Sequence, residues 1–87
     1  MRKMNVLKRV ALISSGLEWK PMSKQDIIEY IWDKIEESFC EATIEKDLRY
    51  LREEFEAPIV FDYYTRCYRM EPGWKFSEAI IEYIRPC

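Results

Sequence analysis

The chain has 87 residues, of which 48% are hydrophobic and 34% charged, and its net charge is −2. This composition predicts one folded domain with a modest core and argues against disorder. No apolar run approaches ~18 residues and the N-terminus has no uninterrupted apolar stretch, so we expect neither a membrane span nor a signal peptide.

The residue types that usually carry chemistry are sparse. There is no histidine, which removes the commonest general base, and the only glycines, Gly16 and Gly73, stand alone rather than in a phosphate-binding loop. Cys40, Cys67 and Cys87 are an odd number and form no CxxC pair, so reduced thiols in a cytoplasmic protein are expected rather than a zinc site. We therefore expect no enzyme, no cofactor, no metal and no small-molecule ligand.

The N-terminal half of the chain predicts two helices. The first covers residues 3–15, with a buried stripe that includes Val10 and with Arg9 mostly outside that stripe; Gly16 is expected to end it in the left-handed conformation. The second covers residues 23–38. Ser23 is predicted to cap it and Asp26 to complete a capping-box-like arrangement.

A third helix is predicted over residues 42–56 and a hairpin directly after it. Apolar residues recur in the helix at spacings of four, three and four, so they share one face; they are Ile44, Leu48, Leu51 and Phe55. Pro58 cannot continue the helix and starts an extended segment. Strands are expected at about 58–62 and 66–71, because both segments are rich in aromatic and β-branched residues.

The C-terminal segment predicts a last short helix at about 77–85, capped by Ser77 and stopped by Pro86. It is more apolar than its length requires, which leaves two alternatives: packing back on the first helix, or burial in a homodimer. The apolar residues concerned are Ile80, Ile81, Tyr83 and Ile84. The tryptophans Trp19, Trp32 and Trp74 are expected in the core or at its edge, and Cys40 and Cys67 are expected to be buried or half-buried.

The predicted order α-α-α-β-β-α indicates an α+β fold, a winged helix-turn-helix with a three-helix core, a two-stranded hairpin wing and a short C-terminal helix. The segment Cys40–Arg52, CEATIEKDLRYLR, followed by Ala-Pro-Ile at 57–59 and Arg-Cys-Tyr at 66–68, resembles the N-terminal domain of DeoR/WYL-type bacterial transcription regulators. In that family the recognition helix reads Ser-x-Arg-Thr-Ile-x-Arg-Asp-Leu-x-x-Leu. The resemblance covers about residues 24–70 and implies sequence-specific binding of duplex DNA, with the third helix in the major groove and the wing on the backbone.

The chain departs from the family pattern where DNA would be contacted. Cys40 stands in place of a serine, Ala42 and Lys46 each replace an arginine, and Cys67 replaces a glycine. Residues 40–56 also hold six acidic and only three basic side chains, which disfavours phosphate binding. The alternative function is therefore a protein–protein interaction module on the same scaffold that does not bind DNA.

The outward face of the third helix supplies the candidate DNA contacts. Arg49 suits a guanine edge, Thr43 a thymine methyl group or a phosphate, and Lys46 and Tyr50 suit phosphates, with Ala42 beside them. The alternative for Lys46 and Arg49 is a solvated surface with ion pairs to nearby glutamates.

At the tip of the predicted wing, Arg66 is a candidate contact to a phosphate or the minor groove. The tyrosines at 63 and 64 suit DNA, cross-strand packing or a protein interface.

Overall fold

The computed structural model describes residues 3–84, and side chains are described for residues 6–82. Within that range the chain is a small α+β domain, as predicted, with four helices and a two-stranded antiparallel hairpin. The elements are α1 (Lys3–Trp19), α2 (Lys24–Ile35), α3 (Glu41–Glu54), β1 (Ile59–Asp62), β2 (Cys67–Met70) and α4 (Phe76–Ile84). None of the helices in this range is both long and apolar enough to cross a bilayer. The arrangement is compatible with the predicted winged helix-turn-helix.

The core lies between α1, α2 and α3 and is closed on one side by the hairpin. The predicted stripe of α3 is confirmed, because its four apolar residues are at most 5% exposed. Each helix contributes residues one turn apart on a single face, which is the pattern that buries most apolar surface in a small domain. The buried apolar residues are Val10, Ile13, Leu17, Met22, Ile27, Ile31, Ile44, Leu48, Leu51, Phe55, Ala57 and Ile59.

Helix α1 does not end at Gly16 as predicted but continues to Trp19. Gly16 is buried within the helix, and a Cβ there would lie 2.9 Å from Met22 Cε and 3.3 Å from a ring carbon of Tyr30. The missing side chain is thus used for close packing of α1 against the α1–α2 connector and α2. A lone glycine near a helix end can either end the helix or allow close packing, and Gly16 serves close packing.

The predicted start of α2 is confirmed. The Ser23 hydroxyl accepts from the amide of Asp26 at 3.1 Å, and the Asp26 carboxylate accepts from the amide of Ser23 at 3.1 Å, which completes a capping box. The helix ends at Ile35 rather than at 38, because Glu36 adopts the left-handed conformation with φ 56° and donates its amide to Trp32 O at 2.7 Å.

The hairpin matches the predicted one to within a residue at each strand end. Ile59 pairs with Met70 and Phe61 with Tyr68, so these four residues lie on one side of the sheet. Met22, in the connector before α2, adds an antiparallel bridge to Tyr68 through amide–carbonyl distances of 2.9 and 2.7 Å. This bridge, which was not predicted, fastens the hairpin to the start of α2.

Helix α4 begins at Phe76, so Ser77 lies inside its first turn and the prediction that it caps the helix is wrong. The first amide of the helix is instead satisfied from α1, because Phe76 N donates to Glu18 Oε2 at 3.0 Å. Phe76 also packs on Phe55, with ring centroids 5.1 Å apart. The predicted stop at Pro86 lies outside the described residues.

The burial predicted for two tryptophans and one cysteine is wrong. Trp19 is 70% exposed because it stands on the added last turn of α1, and Trp32 is 54% exposed because it lies off the α2 face that holds Ile27 and Ile31. Trp74 is half-buried, as expected. Cys40 is exposed, since it directly precedes α3 outside the core, whereas Cys67 is half-buried.

Candidate nucleic-acid interface

The outward face of α3 carries the residues predicted to contact DNA. Ala42, Lys46 and Arg49 are exposed, while Thr43 and Tyr50 are half-buried at one side of that face. The helical period brings Lys46 and Arg49 together, because residues three apart are neighbours on a helix surface. The N-terminal three turns of α3 therefore present a cationic pair to solvent.

Neither the hairpin nor α4 covers this pair. Helix α4 packs against α1, and its first residue, Phe76, contacts Phe55 at the C-terminal end of α3. An open cleft of about 470 Å³ separates α4 from that end of α3 and is lined by Phe55, Trp74 and Ala79 with three glutamates. The part of α3 that holds Lys46 and Arg49 is left accessible.

An ion pair between α1 and α3 sets the orientation of α3. Asp47 is 3% exposed and accepts two hydrogen bonds from Arg9, with Nε–Oδ2 and Nη2–Oδ1 distances of 2.6 and 3.0 Å. The guanidinium group also stacks over Phe39, 5.0 Å from the ring centroid. Its hydrogen bonds to the carboxylate raise the pKa of Arg9 above its ordinary value. The prediction that Arg9 lies mostly outside the buried stripe is wrong, because this bidentate partner draws it inward.

A second cation, Lys24 at the start of α2, reaches across to two glutamates of α3. Its ammonium group hydrogen-bonds Glu45 and lies 3.8 Å from Glu41. The hydrogen bond to Lys24 lowers the pKa of Glu45, and the charge of Arg49 adds to the effect. The same contact raises the pKa of Lys24.

These two contacts change how the charge of α3 is judged. Its three acidic residues nearest the N-terminus are engaged by two cations from other helices: Asp47 by Arg9, and both Glu41 and Glu45 by Lys24. Lys46 and Arg49, by contrast, make no hydrogen bond or ion pair with any side chain that the structure describes. The ion pairs with neighbouring glutamates that we considered for them are absent there. The acidic excess of the helix is therefore offset where the cationic pair stands.

Thr43 and Tyr50 have neighbours within the domain. The Thr43 hydroxyl lies 3.5 Å from Cys40 Sγ, and this contact is the main reason that the pKa of Cys40 is lowered. Tyr50 packs edge-on against Phe55, with ring centroids 5.7 Å apart. Thr43 thus contacts the start of α3 and Tyr50 its C-terminal end, and both flank its outward face.

The hairpin brings Arg66 to the same side of the molecule. Arg66 is exposed, adopts φ 61°, and donates its amide to Asp62 O at 2.8 Å. It borders an open cleft of about 320 Å³ whose other walls come from the first turns of α2 and α3 and from β1 and β2. The cleft residues are Ser23, Lys24, Gln25, Glu41, Phe61, Arg66 and Tyr68. Arg66 thus lies beside the N-terminal end of α3.

Sequence reasoning missed the residues that pair with the acids of α3. One signal was available for Asp47, which lies three residues after Ile44 and four before Leu51, at the edge of the buried face. A carboxylate there needs a partner or a path to solvent. No local pattern pointed to Arg9 or Lys24, because Arg9 lies 38 residues from Asp47 and Lys24 lies 21 residues from Glu45.

Among the described residues, no group of three or more acidic, cysteine or histidine side chains is placed to hold a metal ion. Comparison of the chain with protein-family models, with curated proteins and with solved structures found no match in any of the three.

The Arg9–Asp47 pair generates a prediction for stability. Replacing Asp47 with leucine leaves a largely buried guanidinium without its partner and should lower the free energy of unfolding by about 3 kcal/mol. The double variant Arg9→Met with Asp47→Leu should recover most of this loss. Chemical denaturation measures both values. The exposed pair Arg69–Glu71 is the control, and its loss should change stability by less than about 1 kcal/mol. Additive effects of the two substitutions would contradict the coupling.

The Lys24–Glu45 contact generates a prediction for titration. In Lys24→Gln the pKa of Glu45 should rise toward its ordinary value, as followed by NMR of the side-chain carboxyl carbon. Because the folded-state pKa is lowered, the stabilising contribution is present above the ordinary pKa and is lost as pH falls through the lowered one. Lys34→Gln, on the same helix, should leave the pKa of Glu45 where it is. A pKa unchanged in Lys24→Gln would show that the contact does not persist in solution.

Proposed function

We propose that this chain is a winged helix-turn-helix protein that binds duplex DNA sequence-specifically, as a cytoplasmic transcriptional regulator. In this proposal α3 enters the major groove and the hairpin lies on the backbone as the wing. The observation that supports it best is the open pair Lys46 and Arg49, beside acids of α3 that are held from other helices, Asp47 by Arg9 and Glu45 by Lys24. Affinity for duplex comes largely from cations that neutralise phosphates.

The connections around α3 also support the proposal. Helices α2 and α3 are joined by residues 36–40, a turn short enough for a helix-turn-helix. The bridge between Met22 and Tyr68 holds the hairpin against the start of α2. The hairpin and the N-terminal end of α3 therefore lie on the same side of the domain, where they line one cleft. A duplex whose major groove holds α3 would then contact the hairpin with its neighbouring backbone.

Each candidate residue has a role suited to its chemistry. Arg49 offers a planar donor pair for a guanine, and Lys46 a point charge for a phosphate. Ala42 leaves room for the backbone of α3 to approach the groove floor. Thr43 and Tyr50 border the same face and would contact a thymine methyl group or a phosphate from its edge. Arg66 would bind a phosphate on the flank.

A homodimer through α4 fits this function, because paired half-sites are read by paired subunits. Ile80 is half-buried against the core, which accounts for part of the apolar surface of α4, but Ile81 is 54% exposed. The side chains of Tyr83 and Ile84, the other two residues predicted for the interface, lie outside those that the structure describes. We propose that Ile81 is central to a two-fold contact between α4 helices.

The second candidate function is a protein-interaction module that does not bind DNA. One observation favours it specifically: Trp19 and Trp32, which a free monomer gains little by exposing, are 70% and 54% exposed. In that proposal these rings, rather than α3, would contact the partner.

The DNA-binding proposal predicts the effect of removing the cationic pair. The double variant Lys46→Gln with Arg49→Gln should bind a duplex selected from a random-sequence pool about tenfold or more weakly than the parent protein. Electrophoretic mobility shift at two salt concentrations measures this, and parent binding should weaken at the higher salt. The matched control is Lys34→Gln with Lys75→Gln, which removes the same charge elsewhere and should change affinity little. No duplex binding by the parent protein at low salt would overturn the proposal and favour the interaction module.

The dimer proposal predicts that Ile81→Asp sediments as a monomer at concentrations where the parent protein sediments as a dimer. A carboxylate placed in a closed apolar contact would be left without water or a partner. Trp32→Asp, which places the same charge at another exposed aromatic position, should leave the dimer intact. A monomeric parent protein at every concentration that sedimentation velocity can follow would contradict the dimer.

A further inference from the structure

The tip of the hairpin, residues 63–66, exposes two aromatic rings. Tyr63 is 83% exposed and Tyr64 is fully exposed, the highest values among the large apolar side chains that the structure describes. A ring in full contact with water adds nothing to the packing of the core. The packing of this domain therefore gives no reason for an aromatic residue at position 64.

The tip nevertheless has a defined shape. The Asp62 carboxylate accepts from the amides of Tyr64 and Thr65 at 2.9 and 3.4 Å, and its carbonyl accepts from Arg66 N at 2.8 Å. The bond from Tyr64 N to the Asp62 carboxylate forms an Asx-type turn around Tyr63. The other two bonds hold Thr65 and Arg66 to the same aspartate. Tyr64 thus projects from a turn held by three hydrogen bonds.

Below the tip, the rings form a continuous row. Tyr63 lies edge-on to Phe61 with centroids 4.9 Å apart, and Phe61 lies 4.7 Å from Tyr68. Tyr64 takes no part in this row and, at full exposure, has both ring faces open to solvent.

Arg66 supplies the positive charge at the tip. It lies two residues after Tyr64 and is exposed, whereas Lys24, across the adjoining cleft, is paired with Glu41 and Glu45. The only carboxylate of the tip segment, Asp62, is engaged by the backbone amides of the turn. An open aromatic face beside a cation is the combination that binds single-stranded nucleic acid, by stacking on a base while the cation holds the phosphate.

We propose that the hairpin tip binds an unpaired nucleobase, with Tyr64 stacked on the base and Arg66 on the adjoining phosphate. This inference rests on the proposed function and narrows its substrate class. In an intact duplex the faces of each base are covered by its neighbours, so a tyrosine ring can stack only where a base is unpaired. The preferred nucleic acid is therefore a duplex that continues into a single strand beside the site of α3.

The test compares three DNAs that share one duplex of about 16 base pairs, a length that spans more than one helical turn. One is blunt, one carries an overhang of thymidines, and one carries an equal overhang of abasic residues, which keeps the phosphates but removes the bases. Fluorescence anisotropy measures each dissociation constant. The parent protein should bind the thymidine overhang roughly fivefold or more tightly than the abasic one, as expected for one stacked base.

Variants assign that preference to the tip. Tyr64→Ala should bind both overhangs equally, whereas Tyr64→Phe should keep the preference because stacking does not need the hydroxyl group. Arg66→Gln should weaken binding to both overhangs alike, since it removes a phosphate contact. Trp19→Ala is the matched control, an exposed aromatic residue on α1 rather than on the hairpin, and should leave the preference unchanged. Because Tyr64 is fully exposed, both Tyr64 variants should unfold at the same midpoint temperature as the parent protein.

The outcomes separate this inference from the proposed function. Equal binding of blunt, thymidine and abasic DNA would overturn base stacking and leave duplex binding in place. A base preference on single strands without any duplex binding would support the tip and overturn the regulator. Absence of binding to all three DNAs would overturn both proposals.

Discussion

The buried ion pair between Arg9 and Asp47 is the constraint on which the functional surface depends. Asp47 lies at the edge of the face that α3 turns to the core, and because it is only 3% exposed, a partner inside the domain must offset its desolvation. Two hydrogen bonds from one guanidinium group fix both the distance and the direction between α1 and α3. The rotation of α3 about its axis is thereby set, and with it the set of side chains that faces solvent.

The same logic extends to Lys24, which binds the outer glutamates of α3 from the start of α2. Together the two cations engage the acids of the first two turns of α3, so that Lys46 and Arg49 stand beside carboxylates that are already paired. Net charge along a segment is therefore a poor guide to the potential at its surface, because the segment does not fold alone. The exposed Glu53 lies one turn beyond Arg49, so a carboxylate borders the cationic pair on its C-terminal side.

The features that sequence could predict are those written in a local pattern. The stripe of α3, the Ser23–Asp26 capping box and the two strands of the hairpin each follow from patterns within a few residues. The features that it could not predict join distant segments: the Arg9–Asp47 pair, the reach of Lys24, and the packing of Met22 and Tyr30 around Gly16. Trp19 and Trp32 were misplaced because an aromatic residue predicts burial only when its helical face is known. The DNA contacts of the candidate residues remain predictions.

The packing and backbone pairing of Met22 would limit the entropy that the domain loses when it binds a ligand. Its side chain is wedged beside Gly16 while its backbone pairs with Tyr68, so one buried residue links α1, the start of α2 and the hairpin. The hairpin cannot tilt away from the helices without breaking both of those hydrogen bonds and opening the core. The distance between the tip tyrosines, Tyr63 and Tyr64, and the α3 cations Lys46 and Arg49 is consequently fixed in the free protein. A preorganised binding surface of this kind loses little conformational entropy on association. Its selectivity then depends on whether the ligand already has the matching shape.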